Sequence, residues 1–456
     1  VNTSARLNIV MFTNTFTPHV GGVARSVEGF AQQYRKLGHR VLIVAPEFEH
    51  TPSDEIDVLR VPALQKFNGS DFSVALPVSG LLSRKLDEFQ PHIIHAHHPF
   101  LLGMTAMRIA RYRNLPLVFT QHTLYEKYTH YVPGDSPKMQ QFSIELATHY
   151  ANLADRVFAP SESVATLLRQ RGVNSKINVV PTGVKISQFE NGNGERFRKA
   201  MNIPKKAFVV GHLGRLAAEK NLPFLSETVA QFIASSTLKN AFKNTANNPK
   251  GKKHSREVHF LLIGKGPSEN HIRTTFQRAG ITKRLHVAGI LNPRQLADAY
   301  DAMDVFAFAS KSETQGMVLT EAMACGVPVV ALDASGVKEV VIDTINGRLL
   351  QRENAAAFAA GLKWVADQPP LRRLSLSLAA RKTAREFSMS NTANLALQHY
   401  QDLCHQRSPE QTKNYRHLTQ LLELIKIEWA IIEGFANAAS HSIVTNHTRQ
   451  EEAAGS

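Results

Sequence analysis

Two glutamates eight residues apart, Glu313 and Glu321, offer the most pointed chemistry in this 456-residue sequence. They stand in SETQGMVLTEAMACGVPVV (312–330), where Glu313 precedes a glycine turn at Gly316 and Glu321 falls in the first or second turn of the helix that follows. A carboxylate accepts paired hydroxyl hydrogen bonds, so two of them suit a sugar and a ribose. The backbone N–H groups of Gly316, Met317 and Val318 lie at the helix start, where a phosphate is favoured. Helix capping and dipole complementation are the alternative use of such glutamates. Upstream, HLGRLAAEKN (212–221) sets Arg215 and Lys220 directly after an apolar run. Arg offers a planar bidentate fork and Lys a point charge, a combination suited to a diphosphate; an ordinary surface pair is the alternative. IGKGP (263–267), with Gly266, repeats the order of strand, glycine turn and helix. Gly21-Gly22 opens the first helix and lets a ligand approach the backbone closely, although a tight turn would also use two glycines. Neither G-x-G-x-x-G nor G-x-x-x-x-G-K-[ST] occurs, which counts against nicotinamide redox enzymes and P-loop kinases.

Histidines cluster in HAHHPF (95–100) and TQHTLYEKYTHY (120–131). Each segment follows an apolar run, so His122 is a candidate hydrogen-bond donor to a sugar. His95 and His97 alternate, which predicts one facing the core and the other the ligand. His-x-His can also ligate a metal, but no carboxylate stands at matching spacing, and Cys325 and Cys404 are far apart. No metal is therefore expected. Two cysteines are also too few for a disulfide framework and fit a reducing compartment.

These side chains need a scaffold. LNIVMFT (7–13), RVLIVA (40–45), HIIHAH (92–97), LVFTQH (117–122) and RVFA (156–159) read as buried strands without period-2 alternation, the pattern of a parallel sheet covered on both faces. The stretch 23–38 between the first two reads as a helix closing on Gly38. A second set follows in 207–214, 258–264, 285–290, 305–310 and 327–332. The fold class is α/β, with two doubly wound parallel-sheet domains. The expected domains are 1–190 and 191–385, with a linker in NGNGERFRKAMNIPKK (191–206), a helix over 386–405 returning to the first domain, and a helical tail over 406–456. Ligands of such sheets lie at the carboxyl ends of the strands, so a cleft facing both sets of ends is expected, closing over its substrates by a hinge.

The charge arithmetic is 53 − 38 = +15. That excess admits nucleic acid, an anionic membrane face, a phosphorylated substrate or a plain solvated surface. Nucleic acid is not expected, because no helix-turn-helix, zinc module or aromatic-basic strand pattern occurs. Between 229 and 256 six Lys/Arg stand without an acid, which reads as an exposed basic loop. In MRIARYRNL (107–115), Arg108, Arg111 and Arg113 flank Met107, Ile109 and Tyr112, as on a membrane-surface helix or an ordinary surface one. The stretch 416–435 aligns Leu418, Leu421, Leu422, Ile425, Trp429 and Ile432 on one helical face, but four interspersed charges exclude a membrane span. A helix on the protein's own surface, an oligomer contact and a membrane-surface helix are its alternatives. The start shows no charged region followed by a long apolar one, so no secretory signal is expected.

Together and in this order, F-x-P-x-x-G-G-V (16–23), PTGV (181–184), GRLAAEKN (214–221), IGKGP (263–267) and the E-x7-E segment resemble retaining glycosyltransferases of family 4, over roughly residues 7–400. The resemblance implies the GT-B fold, with two Rossmann-like domains across a cleft and a nucleotide-sugar donor, UDP-glucose-like. It places Gly21 and Gly22 beside the donor phosphate, Arg215 and Lys220 on the diphosphate, Glu313 on the sugar, Glu321 on the ribose and His122 near the reacting centre. The nucleotide base falls near Gly289, Ile290 and Leu291, and no cofactor or metal is implied. HHPFLLG (97–103) and HTLYEKYTHYVP (122–133) resemble segments of enzymes that glucosylate diacylglycerol. That assigns Tyr125, Tyr131 and His19 to a lipid acceptor, and the protein to the cytoplasm, peripheral on the inner face of an anionic membrane. The same donor chemistry on a soluble or polysaccharide acceptor, and a non-catalytic basic scaffold, are the alternatives.

Overall fold

The computed structural model describes residues 6–19, 21–49, 51–52, 55–64, 74–75, 80–127, 136–243, 256–311 and 313–407. The chain forms two compact units: the described residues up to Gly183 together with those from Met389 onward, and Val184–Ser388.

The first unit is built on a seven-stranded sheet. Its order is Val58–Val61, Arg40–Pro46, Asn8–Phe12, Ile93–Ala96, Leu117–Thr120, Arg156–Ala159 and Ile177–Val179, every pair parallel. The apolar runs lack alternation because both faces are covered. Val10, Phe12, Leu42 and Ile94 pack into one core, and Ile9, Met11, Val41 and Ile93 into the other. The helix Gly22–Lys36 follows the first strand and buries Val27, Phe30, Ala31 and Tyr34 at helical spacing. Arg35 and Lys36 suit the negative end of its dipole, and Gly38, at φ 90°, turns the chain into the next strand.

The second unit carries a six-stranded parallel sheet. Its order is Leu285–Gly289, Val258–Ile263, Phe208–Leu213, Val305–Phe308, Val329–Leu332 and Gly347–Leu350. Chain direction around each sheet reverses once, beside Asn8–Phe12 in the first unit and beside Phe208–Leu213 in the second. At such reversals a crevice opens beyond the carboxyl ends of the strands.

The change of unit falls at 183/184, upstream of the expected linker. Residues 191–206 are integral to the second unit: Asn193 N donates to Asp298 Oδ1 at 2.7 Å, and the helix Gly194–Ala200 buries Phe197. A Cβ on Gly194 would stand 2.4 Å from the carbonyl oxygen of Asp301, so its glycine serves packing rather than a flexible connection. The helix Met389–Gln406 belongs to the first unit, where Ala393, Ala396, Leu397 and Tyr400 pack with Val27, Phe30 and Tyr34. The expected basic loop is half helix: Leu222–Lys243 is helical and buries Val229, Phe232 and Ile233. Residues 244–255 of that stretch, and the tail from 408, lie outside the described residues.

Candidate functional site

In the second unit the candidate residues gather after the two strands at the reversal. Beyond Phe208–Leu213 the chain is zipped to the loop after Val258–Ile263. Gly214 N donates to the Ile263 carbonyl at 3.1 Å, Leu216 N to the Lys265 carbonyl at 2.9 Å, and Ser268 N to the Leu216 carbonyl at 2.8 Å. A Cβ on Gly266, at φ 156°, would stand 2.4 Å from the Leu216 carbonyl oxygen. The Gly266 requirement therefore comes from the neighbouring loop. A short 3-10 turn, Ala218–Lys220, then presents the cations. Arg215 Nη2 lies 2.5 Å from Glu219 Oε1, and Lys220 Nζ is paired with Glu313 Oε1. Lys220 and Glu313 are both more than four-fifths shielded from solvent, so their attraction is screened less than that of a surface pair.

Glu313 reaches Lys220 from the loop after Val305–Phe308, a pairing across ninety-three positions that no local spacing rule reveals. The same loop continues to Gly316, which adopts the left-handed conformation (φ 73°, ψ 52°) and caps the helix Met317–Ala324. A β-branched or bulky residue would be strained there. The first turn has no acidic side chain, so its N–H groups meet no built-in carboxylate of that turn. Glu321, one turn on, is buried and accepts a hydrogen bond from Tyr300 Oη at 2.9 Å. Tyr300 is itself fully buried, on the helix Pro293–Asp301. Sequence reasoning missed it, because Tyr300 reads as one more apolar position before a strand. Ile290 is exposed just past the strand Leu285–Gly289.

The first unit gathers histidines instead. His95 and His97 are both buried, at 3% and 1% exposure, so the expected division into a core and a ligand-facing side chain does not occur. His97 directly follows the strand Ile93–Ala96 and His122 stands two residues past the strand Leu117–Thr120, and the two meet: His97 Nδ1 is 2.9 Å from His122 Nε2. His95 Nε2 is 2.7 Å from Thr120 Oγ1, and Tyr400 Oη is 2.5 Å from His95 Nδ1. Tyr34 Oη in turn donates to Tyr400 Oη at 3.4 Å. Burial, followed by the neighbouring imidazoles, pushes the values of His95 and His97 well below the ordinary 6.5. Burial takes His98 and His122 down to about 3. All four are neutral at pH 7.

Neutrality constrains the tautomers. His97 Nε2 has no hydrogen-bond partner among the described residues. A buried N–H without an acceptor costs more than a buried lone pair without a donor. The contact is satisfied with the His97 proton on Nδ1, donated to His122 Nε2, and the His122 proton on Nδ1. That arrangement suits His122 as an Nδ1–H donor.

Gly21 and Gly22 begin the helix Gly22–Lys36 as expected. A Cβ at Gly22 would meet no atom of the described residues within 4 Å, so packing among them does not demand glycine there. Val20, between the Pro18 and Gly21 of that segment, lies outside the described residues. His19 stacks on Phe48 with ring centroids 6.0 Å apart. Tyr125 sits in the 3-10 turn Tyr125–Lys127 with its ring edge-on to Phe100. Its hydroxyl is buried with no hydrogen-bond partner among the described residues, and burial raises its pKa. Tyr131 lies outside the described residues. Among those residues, no group of three or more His, Cys, Asp or Glu is arranged to hold a metal ion. No helix among them is long and apolar enough to cross a membrane.

Comparison with known proteins adds to this geometry. Residues 20–188 match the family described as Glycosyltransferase Family 4, and residues 193–383 match Glycosyl transferases group 1. The chain is 28% identical over 369 residues to an alpha-monoglucosyldiacylglycerol synthase of Streptococcus pneumoniae, covering 77% of each chain. It is 30% identical over 317 residues to a D-inositol 3-phosphate glycosyltransferase of Actinosynnema mirum, covering 68% of this chain and 72% of that one. Among solved structures, HepE of Anabaena in complex with UDP and glucose matches with a TM-score of 0.64 at 20% identity, over 87% of this chain and all of that one.

Proposed function

The chain belongs to glycosyltransferase family 4, and from that premise we propose that it moves a hexose from a nucleotide diphosphate sugar, UDP-glucose-like, to a membrane lipid such as diacylglycerol, with retention at the anomeric carbon. The observation that carries the donor half is the Lys220–Glu313 pair beside Arg215 and the Gly316 helix start, all on one unit at the carboxyl ends of the strands. As the glycosidic bond breaks, the leaving diphosphate gains negative charge. Arg215, Lys220 and the N–H groups of the helix start are already in place to stabilise it, and a preorganised contact of this kind is worth about 3 kcal/mol. Glu313 positions the sugar by accepting hydroxyl hydrogen bonds, and its pairing with Lys220 keeps it oriented. Glu321, held by Tyr300, receives the ribose hydroxyls. No side chain is assigned as a covalent nucleophile; attack proceeds from the face the diphosphate leaves. The cations do on the diphosphate what a metal does elsewhere, so no cofactor is required.

On the first unit, His122 donates through Nδ1 to the sugar, with its tautomer set by His97. Gly22, where no described atom crowds an added Cβ, is assigned to the donor phosphate by the family resemblance. Tyr125, with its buried unpartnered hydroxyl, and His19 serve the acceptor. The diacylglycerol acceptor is supported by the name of the Streptococcus pneumoniae relative and by the segments 97–103 and 122–133. A soluble phosphorylated polyol is the second reading, favoured by the inositol phosphate relative. A panel of UDP-glucose, UDP-galactose and GDP-mannose, read by release of nucleoside diphosphate with diacylglycerol, inositol phosphate or no acceptor, decides between them. Release stimulated by inositol phosphate alone would replace the lipid reading, and no release from any donor would remove the transferase assignment to this site.

A further inference from the structure

The two units each carry a basic helix, and the two differ in where their large apolar side chains face. In the first, the segment expected to face a membrane uses its arginines internally. Arg111 Nη2 donates to the Leu153 carbonyl at 2.5 Å and its Nη1 lies 3.6 Å from Asp155 Oδ1, Arg113 pairs with Asp87 at 2.8 Å, and Met107 is fully buried. In the second unit the helix Pro370–Glu386 turns Leu376, Ala380, Thr383 and Ala384 inward. Its outward face then presents Leu371, Leu374 and Leu378, exposed to 83%, 57% and 58%. Their spacing of three and four residues makes one stripe. Arg372 Nη2 donates to the Thr344 carbonyl at 2.8 Å, which ties the helix to a turn bearing two more exposed side chains, Ile342 at 47% and Ile345 at 53%.

A solvated helix ordinarily shows a polar outer face. Here the inward residues already supply the packing, so the outward leucines contribute nothing to the fold within the described residues. A contiguous exposed apolar patch of this kind marks a contact with a partner or a membrane. The charge says which. The helix holds Arg372, Arg373, Arg381, Lys382 and Arg385 against Glu386 alone, 5 − 1 = +4, of which Arg381 is turned inward to the carbonyls of Ala324 and Cys325. Two copies of such a helix face to face would repel, and a nucleic acid has no use for the leucines. Leucines that enter the interface, with Arg and Lys at the level of negative headgroups, are the arrangement of a surface-bound helix.

We propose that the outward face of the helix Pro370–Glu386, with the adjoining Ile342–Ile345 turn, docks the second unit on an anionic lipid bilayer. The inference deepens the lipid-acceptor reading and rests on it for its purpose, but its test does not use the acceptor. The full chain is floated with vesicles of phosphatidylcholine alone and of phosphatidylcholine mixed with phosphatidylglycerol. The comparison variant is Leu371→Ser/Leu374→Ser/Leu378→Ser, with thermal melting followed by circular dichroism to confirm folding. Binding to the mixed vesicles is expected, with at least about tenfold loss in the triple variant, as three leucine side chains forfeit their burial. Arg372→Gln/Lys382→Gln should weaken binding to the mixed vesicles and leave binding to phosphatidylcholine unchanged. Equal binding by wild type and triple variant, or equal binding to both vesicle types, overturns the proposal. So does self-association of the wild type in lipid-free sedimentation that the triple variant loses, which would assign the face to a second copy. Leucine-dependent flotation without glycosyl transfer to any lipid would keep the docking face and remove the lipid acceptor. Transfer to lipid with leucine-independent flotation would do the reverse.

Discussion

At the carboxyl ends of its strands the first unit gathers neutral imidazoles, whereas the second gathers ion pairs. His95, His97, His98 and His122 are buried, and two of them bond directly to each other. Lys220–Glu313 is an ion pair that joins two loops, and Arg215–Glu219 closes locally, four residues apart. The difference follows from the ligand each end would meet. A leaving diphosphate needs full positive charge, and a buried cation is tolerable before the ligand arrives only if a carboxylate stands beside it. A sugar hydroxyl needs a directed donor, and a neutral imidazole with a fixed tautomer supplies one without the desolvation cost of an ion. The two sheets share a topology rule but differ in how they keep polar groups under cover.

Breaking the ionic side should have the largest effect. Lys220→Ala and Glu313→Ala are each expected to lower turnover at least about a hundredfold, the consequence of losing a preorganised contact of about 3 kcal/mol, with the melting curve retained. Steady-state kinetics on purified variants settles it, and near-wild-type turnover in either would remove that residue from the site. Tyr300→Phe takes a hydrogen bond from the Glu321 carboxylate. It should weaken donor binding about tenfold with little change in kcat. An unchanged donor KM would mean that Tyr300 only packs.

The neutral side should respond more mildly. His97→Phe removes the donor that sets the His122 tautomer, and kcat is expected to fall by about threefold to tenfold, a hydrogen bond of about 1 kcal/mol. The distinguishing readout is the nitrogen-15 spectrum of His122: a protonated Nδ1 in wild type, and a tautomer mixture in the variant. The same histidines sharpen the comparison through pH. Their folded values lie below the unfolded 6.5, so the unfolded chain takes up protons first as pH falls. Their stabilisation is complete above about 6.5 and is lost as pH falls toward about 3. The urea midpoint should therefore be lower near pH 5 than near pH 7.5, and a flat midpoint would contradict neutral burial. The smallest expected effect is from EDTA, which should leave turnover unchanged; loss restored by one divalent ion would show that Arg215 and Lys220 do not suffice.

Much of this was legible without coordinates. The ten apolar runs coincide with strands, most of them because a parallel strand covered on both faces is apolar along its length, which is a local property, and the half-buried edge strand Leu285–Gly289 through its own short apolar run. The strands Val58–Val61, Ile177–Val179 and Gly347–Leu350 escaped, since each is a short sheet edge interrupted by a polar residue, Arg60, Asn178 or Arg348. The Gly316 turn was readable because glycine there answers a backbone demand, a positive φ. Glu313 and Glu321 were readable as a pair eight apart on one turn and helix.

Their partners were not. Lys220 on Glu313, Tyr300 on Glu321, His97 on His122 and Tyr400 on His95 are separated by between 21 and 305 positions. Nothing in local spacing encodes which residues of different loops meet. The unit boundary at 183/184 was hidden for the same reason, because residues 191–206 resemble a linker in composition and become part of a domain only through Asp298 and Asp301. The exposed leucines of Pro370–Glu386 were invisible too. Composition shows leucine on both sides of that helix, and only its packing decides which side faces inward. Element type and backbone demands follow from neighbours in the chain, which the order of residues states directly. Ion pairs, tautomers and exposed faces follow from neighbours in space, which exist only once the sheets have formed.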